Sequence, residues 1–483
     1  MKTTLNNKNS LIKKMYTNKN IIKVILLTTI LILGLTSCSS YQNLSESPEV
    51  ETEGIIRDEN ASIADTNTIA NIHWKEFFKD DKLQALISEG LQQNVDMQIA
   101  LTRIEQARAG LSIATGEKYP SLDVGVQVDH TRTSSGGNGT DVFGYSTHAN
   151  TLGLSASWEI DLWGKLNEQA RAEYANYLNS YEYKNLVQTE LIASIANSYY
   201  NLLSLDEQLQ ISKETVIALE ENAKTMAALK EAGQQNAASV SQSYALLFST
   251  QLTVFNLETS IREQENALCV LLNRKPGEID RTILSSQKIV KELAHGVPAQ
   301  FLAKRPDVKQ AELSLLAAYA YTGSAKASLY PSLTLSAKTG YAGDFKDFFN
   351  PANLAANFVA GLTQPIFYNN RLTANVEIAE AQQKEALLRF SNTVLSAGQE
   401  VSNILFNYET TFDKKELRDD QIHSLKDAVD FTKTLLVAGE ANYTEVLAAR
   451  RNLLAAQLSQ VNDNLEQLTL TVALYKALGG GTN

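Results

Sequence analysis

Proline is scarce in this chain, with 8 in 483 residues. Because proline removes a backbone donor and breaks a helix interior, so low a count permits very long helices. Cysteine is scarcer. Cys38 and Cys269 cannot make a disulfide framework. The histidines His73, His130, His148, His295 and His423 are scattered, without the spacing of a metal site. No G-x-S-x-G nucleophile motif is present either, which argues against catalysis. Positive charge is also in deficit. The formal net charge is −11, and the first 37 residues hold six Lys and no acid, so the remainder is more acidic still. An acidic surface of this kind argues against nucleic acid as a partner.

What is present begins with an export signal. Lys13, Lys14, Lys19 and Lys23 precede an apolar run from Val24 to Leu35. At about 12 residues that run is too short to span a bilayer. Leu35-Thr36-Ser37-Cys38 resembles the lipobox of bacterial lipoproteins, which implies cleavage before Cys38 and a covalent lipid on its thiol. Ser39, rather than Asp, follows, which by the lipoprotein sorting rule implies the outer membrane. Residues 41–70, rich in Ser, Glu, Thr and Asn, suit a tether. Cys269 sits in an apolar helical stretch and reads as a small buried hydrophobe.

The mature chain says nearly the same thing twice. Tyr119-Pro120-Ser121-Leu122 returns 211 positions later as Tyr330-Pro331-Ser332-Leu333, and Ala232-Gly233 returns 206 positions later as Ala438-Gly439. The period is too long for a solenoid unit and points to a duplicated half-domain. Four segments alternate with period two, as half-buried strands do. In the first, Leu122, Val124, Val126 and Val128 oppose Asp123, Gln127 and Asp129; in the second, Leu152, Leu154, Ala156 and Trp158 oppose Ser155, Ser157 and Glu159. The third, with Leu333, Leu335 and Ala337, is clear, and the fourth, around Phe358, Ala360 and Leu362, is weaker. Such strands match transmembrane β-strands, but four cannot close a membrane barrel. Two copies would give about 8 strands and three about 12; a soluble sheet packed on helices is the other reading.

From Lys165 to Ala232 there are 68 residues without Gly or Pro, and from Arg371 to Ala438 another 68, interrupted only by Gly398. Each would make a helix of about 100 Å. Shorter helical stretches, Asn236–Asn273 and Asn442–Leu478 after them and Val95–Lys118 and Pro306–Leu329 before the strands, would stack to a similar height. Rows at seven-residue spacing, Ile195, Leu202, Leu209 and Val216, and Leu447, Leu454, Val461, Leu468 and Tyr475, suit coiled packing. The predicted organisation is a signal peptide (1–37), a lipid-anchored tether (38–73) and a first repeat (74–273). That repeat has strands at about 119–131 and 150–161 and a long helix at 165–232. An irregular connection (274–305), expected to form a belt with the chain ends, leads to the second repeat (306–478). Its strands fall at about 331–342 and 353–366 and its long helix at 371–438, and a tail (479–483) follows.

Ser157-Trp158-Glu159-Ile160-Asp161-Leu162-Trp163-Gly164-Lys165 resembles the second-strand signature of TolC-like outer-membrane efflux proteins. Arg305-Pro306-Asp307-Val308 with Ala311-Glu312, and Gln364-Pro365-Ile366-Phe367 before Arg371, resemble signatures of their second half. Taken with the lipobox, these motifs are most similar to the lipoprotein branch that serves resistance-nodulation-division (RND) pumps. The resemblance implies a mainly α protomer of long coiled helices plus four strands. Such protomers trimerise into a 12-stranded β-barrel in the outer membrane and a periplasmic α-helical barrel. It further implies a passive exit duct partnered by a periplasmic membrane-fusion adaptor and an inner-membrane RND-type pump. No nucleotide or ion-coupling motif is present, so no cofactor beyond the Cys38 lipid is expected. Asp123, Gln127, Asp129, Ser155 and Ser157 would line a wet lumen.

The two turns between long and returning helices carry the remaining expectations. Gly233 and Gly439 fit left-handed helix terminators, and Asn236 and Asn442 fit caps of the returning helices. The resemblance makes these tips the adaptor-docking end, where Ala237, Ala238, Ser239, Ala441 and Thr444 suit close approach. Family members often carry an aspartate after Val446-Leu447, forming an acidic constriction. Here Ala448 stands instead, which leaves Glu440 and Glu445 as gate candidates. A type I secretion or heavy-metal export duct is the nearer rival function, and a lipid-anchored structural spacer the more distant one.

Overall fold

The computed structural model describes residues 72–132, 146–287, 299–343 and 349–482; the signal region, Cys38 and the tether lie outside them. The elements run α1 (Trp74–Phe77), α2 (Asp81–Gln93), α3 (Val95–Gly116), β1 (Ser121–Arg132), β2 (Ser146–Ile160), α4 (Lys165–Glu231) and α5 (Ala237–Leu271). After the connection come α6 (Pro306–Ala327), β3 (Ser332–Gly343), β4 (Leu354–Thr363), α7 (Arg371–Ala438) and α8 (Tyr443–Ala477). Both long helices, all four strands and the duplicated order expected from sequence are present. Two differences stand out. The fourth strand stops at Thr363 rather than 366, because Pro365 cannot donate to a ladder. The first repeat also opens with two helices before α3, separated from it by Asn94, whose side chain accepts from the Asp96 and Met97 amides and starts a new helix.

The chain falls into two compact units. The first contains residues 118–168 and 323–375, and its centre is an antiparallel sheet in the order β1-β2-β3-β4. Ser121 pairs with Ser157, Ser157 with Ser336, and Ser332 with Thr363. Gly340 is obligatory here, since a Cβ on it would stand 2.4 Å from the Leu152 carbonyl oxygen and 2.5 Å from Gly153 Cα.

The second unit contains residues 72–117, 169–322 and 376–482 of the described chain. Its main core gathers Ile192, Ile195, Tyr199 and Leu202 of α4, Leu268 of α5, Val401 and Tyr408 of α7, and Leu468, Val472 and Tyr475 of α8. Ile195 and Leu202 of one predicted heptad row, and Val461, Leu468 and Tyr475 of the other, are buried in this core, while Leu209, Val216 and Leu454 are half-buried. Cys269 is fully buried and donates to the Gly277 carbonyl at 3.5 Å.

The described parts of the connection, the residues that follow Ile72 and the C-terminal residues up to Thr482 pack around this core. Phe77 stacks on Tyr475 at 4.3 Å, and the Tyr475 hydroxyl donates to the Ile72 carbonyl. Arg281 bridges Asp206 of α4 at 2.5 Å and Glu265 of α5 at 2.6 Å. The Asp80 carboxylate accepts from Tyr199 (2.8 Å), Thr282 (2.5 Å) and Gln287 (2.7 Å). Burial raises its pKa, but these hydrogen bonds outweigh burial and hold it below the usual carboxylate range. Burial pushes the Tyr199 hydroxyl up to about 12. Residues 479–482 pack too: Gly479 and Gly481 take left-handed φ of 80° and 86°, and Gln188 of α4 donates to the Gly481 carbonyl at 2.7 Å.

Candidate functional site

The sheet separates two chemistries by register alone. Leu122, Ala156, Ala337 and Phe358 stand in one cross-strand row, and Val126, Leu152, Tyr341 and Leu354 in another. The alternate rows, Asp123–Ser155–Lys338–Asn357 and Ser121–Ser157–Ser336–Val359, point to the opposite face. All five residues assigned to a lumen by sequence, Asp123, Gln127, Asp129, Ser155 and Ser157, share that polar side; Asp129 is placed by backbone register only. The apolar side is uncovered. Leu122, Val124, Val126 and Val128 are 63–73% exposed, and Phe358 and Leu362 are exposed as well. An isolated chain in water would not leave such a face and two open sheet edges bare. Among the described residues, no helix is long and apolar enough to cross a membrane.

The first strand-to-helix passage shows what its signature does. Trp158 Nε1 donates to the Lys118 carbonyl at 2.9 Å, and Trp163 Nε1 to the Pro331 carbonyl at 2.7 Å while its ring stacks on Tyr330. The Asp161 carboxylate accepts from the Leu166 and Asn167 amides and so caps α4, and Lys165 pairs with Glu159 at 2.9 Å. Gly164 takes φ 77° to turn the chain between them.

The second signature is a buried clamp. Arg305, 6% exposed, donates to the Ala477 carbonyl (3.0 Å), to both Asp307 oxygens (3.1 and 2.9 Å) and to Glu400 (2.6 Å). Burial disfavours its charge, but the hydrogen bonds and charges of Asp307 and Glu400 outweigh that and raise its pKa. The same pairing lowers the Asp307 pKa against the effect of its own burial. One guanidinium thereby ties the start of α6 to the end of α8 and the middle of α7.

At the hairpin tips the glycine terminators and asparagine caps expected from sequence are present. Gly233 and Gly439 have φ of 74° and 78°. Around each, paired backbone bonds close the helix: Gly233 N to Lys230 O with Gln234 N to Leu229 O, and Gly439 N to Leu436 O with Glu440 N to Leu435 O. These are two copies of one Schellman motif. Asn236 Oδ1 accepts from the Ser239 amide at 2.8 Å and Asn442 Oδ1 from the Glu445 amide at 3.3 Å. Ala237, Ala238, Thr444, Glu440, Glu445 and Ala448 are exposed and Ala441 is half-buried, whereas Ser239 is buried. Ser239 therefore lies inside the hairpin rather than on its outer surface.

A residue not singled out from sequence ties the two tips together. Tyr443, 2% exposed, packs with Met226, Val446 and Leu447 against Leu229, Val240, Leu246 and Leu436. Its hydroxyl accepts from Ser243 Oγ at 2.8 Å and from Asn222 Nδ2. The available signal was a large amphipathic ring placed directly after a helix cap, where a solvent-facing turn has no use for it.

The sequence matches the family model described as Outer membrane efflux protein over residues 86–274 and again over 297–480, one match for each repeat. It is 28% identical over 452 residues to the cation efflux system protein CusC of Escherichia coli, covering 93% of this chain and 97% of that protein. It is 27% identical over 463 residues to the probable outer membrane lipoprotein SilC of Salmonella typhimurium, covering 95% and 99%. With the toluene efflux pump outer membrane protein TtgC of Pseudomonas putida it shares 29% over 411 residues, 84% of this chain and 85% of that protein. Among solved structures, CusC superposes with a TM-score of 0.79 at 29% identity over 87% of this chain and 96% of that one. The open-state MtrE outer membrane channel of Neisseria gonorrhoeae gives 0.80 at 26% identity, over 91% and 97%.

Proposed function

The chain belongs to the outer membrane efflux protein family, and from that membership we propose a passive exit duct assembled from three copies. It is the outer-membrane component of an efflux system. One observation carries the assembly: a four-stranded sheet with an uncovered apolar face and two open edges. Lipid excludes unpaired backbone, so such a sheet is stable in a membrane only inside a closed barrel. Three copies supply 12 strands, wide enough to leave a water-filled lumen. The polar rows with Asp123, Ser155 and Lys338 then face that lumen, and the valine row of β1 faces lipid. Exposed apolar side chains on α7, among them Leu388, Leu395, Phe406 and Leu417, are the surfaces on which neighbouring helices pack in the helical barrel.

Cys38 carries the lipid that anchors the mature N-terminus. The tips around Gly233 and Gly439 receive a periplasmic adaptor, which links the duct to an inner-membrane RND-type pump. The duct consumes no energy; opening shifts the packing of the tip helices, biased by adaptor contacts that are better in the open state. Relatives of similar identity are named for cations and for toluene, in keeping with cargo being chosen upstream by the pump. Purified in detergent, the protein is expected to run as a heat-modifiable trimer and to give single-channel conductance in planar bilayers. A lipoprotein that stays monomeric and conducts nothing would instead be a periplasmic spacer.

A further inference from the structure

Among the described strand residues of the polar face, Lys338 is the one cation, and the register leaves it without a counter-charge. It is exposed, in the row Asp123–Ser155–Lys338–Asn357. Along β3 it is flanked on this face by Ser336 and Gly340, and across the ladders it faces Ser155 and Asn357. The diagonal positions, 153 and 157 on β2 and 355 and 359 on β4, are likewise uncharged. The carboxylate in its own row, Asp123, stands two strands away, about 10 Å at the spacing of neighbouring strands. Glu159, nearer the base of β2, is already paired with Lys165. Among the described residues, neither Lys338 nor Asp123 makes an ion pair.

Two ordinary reasons for a lysine in a strand fail here. Sheets carry lysine on edge strands to block unwanted pairing, but β3 lies between β2 and β4. A cross-strand ion pair needs an acid directly opposite, and Lys338 faces a hydroxyl and an amide. The row beside it is nearly bare: Gly125, Gly153, Gly340 and Ala355 pair in register across all four strands. Gly153 and Gly340 are required by sterics, since a Cβ on either would meet the partner strand's backbone oxygen at 2.8 or 2.4 Å. At Gly125 a Cβ would meet nothing within 4 Å. Glycine weakens a strand, and at that position no close contact requires it. The result is open space next to the lysine row.

Resting on the trimer reading above, we propose that Lys338 is an anion-binding residue of the barrel lumen. Three-fold symmetry sets three ammonium groups at one height, and the bare row beside them leaves room for a solute to approach. Carboxylate, sulfate or phosphate groups of passing cargo are attracted there. The chain as a whole carries a formal charge of −11, and Asp123 and Asp129 would otherwise give the lumen a single sign that repels anions. Lys338 thereby keeps the duct open to anionic as well as cationic cargo.

The test uses the full chain in planar bilayers at about 10 mM salt, where the Debye length is about 30 Å. Inorganic tripolyphosphate, added to each side in turn, is the probe. It should block unsubstituted channels, and Lys338→Gln should raise the half-blocking concentration about tenfold, whereas Lys338→Arg should keep it. Ser155→Asp leaves the lysine in place but sets a carboxylate opposite it, so it too should weaken block. Channels that conduct but show no block, or that are blocked equally with Lys338→Gln or Ser155→Asp, would overturn the site while the duct stands. If the unsubstituted protein forms neither trimers nor channels, both readings fall.

Discussion

At the scale of single residues, the strongest determinants are buried polar groups whose partners lie far away in sequence. Arg305 satisfies the Ala477 carbonyl, Asp307 and Glu400 at once. Removing one member of a buried charged network leaves the others desolvated and unpaired, at a cost of about 3 kcal/mol. Arg305→Ala should therefore lower the urea midpoint of the detergent-solubilised protein. Arg305→Lys should recover little, since an ammonium cannot reproduce the fork. An unchanged midpoint in both variants would show that the clamp is dispensable. Asp80 and Asp307 give this region an acid limit. Both have folded pKa values below their ordinary ones, so their contribution is present above the unfolded value of about 3.9 and is lost as pH falls through the lower folded values. Thermal stability should accordingly drop below about pH 4, and Asp80→Asn should blunt that drop.

At the scale of elements, what could be read from sequence was what is decided locally. Gly233 and Gly439 terminate helices because the left-handed region is cheap only without a Cβ, and Asn236 and Asn442 cap by reaching their own third amide. The strands were legible through their alternation, and the lengths of α4 and α7 through the absence of breakers. Three things were not legible. Tyr443 is buried by Met226 and Leu229, more than 200 positions away; Ser239 is shielded within its hairpin; and the division into α2 and α3 depends on one asparagine. Each is a tertiary outcome that local pattern does not encode. Replacing Gly439 by Ala should strain the Schellman turn by about 1 kcal/mol without disturbing the core around Tyr199. Hydrogen exchange should rise in residues 433–445 and remain unchanged in α4 near Tyr199. Equal rises in both would mean that the tip is not an independently closing unit.

At the scale of the whole molecule, duplication allows one chain to make two unlike tips from one plan. The first returns through Ala237 and Ala238, and the second through Thr444 and Glu445, with Ala448 exposed on the second. Both tips share a core under Tyr443, so a partner that moves one hairpin must work against the hydrogen bonds from Asn222 and Ser243. In the proposed duct, docking and opening would be coupled through this tip core, and trimer assembly would depend on the sheet and the long helices. The two can be separated. Large side chains at Ala237 and Ala441, such as Ala237→Trp with Ala441→Trp, would obstruct close approach of an adaptor helix and lie outside both the strands and the Arg305 clamp in sequence. That double variant should assemble heat-modifiable trimers at wild-type levels and conduct in planar bilayers, yet fail to support efflux in cells that contain the pump and adaptor. Normal efflux from it would mean that the adaptor engages the duct elsewhere, and the small residues at the tips would then be explained by turn geometry alone.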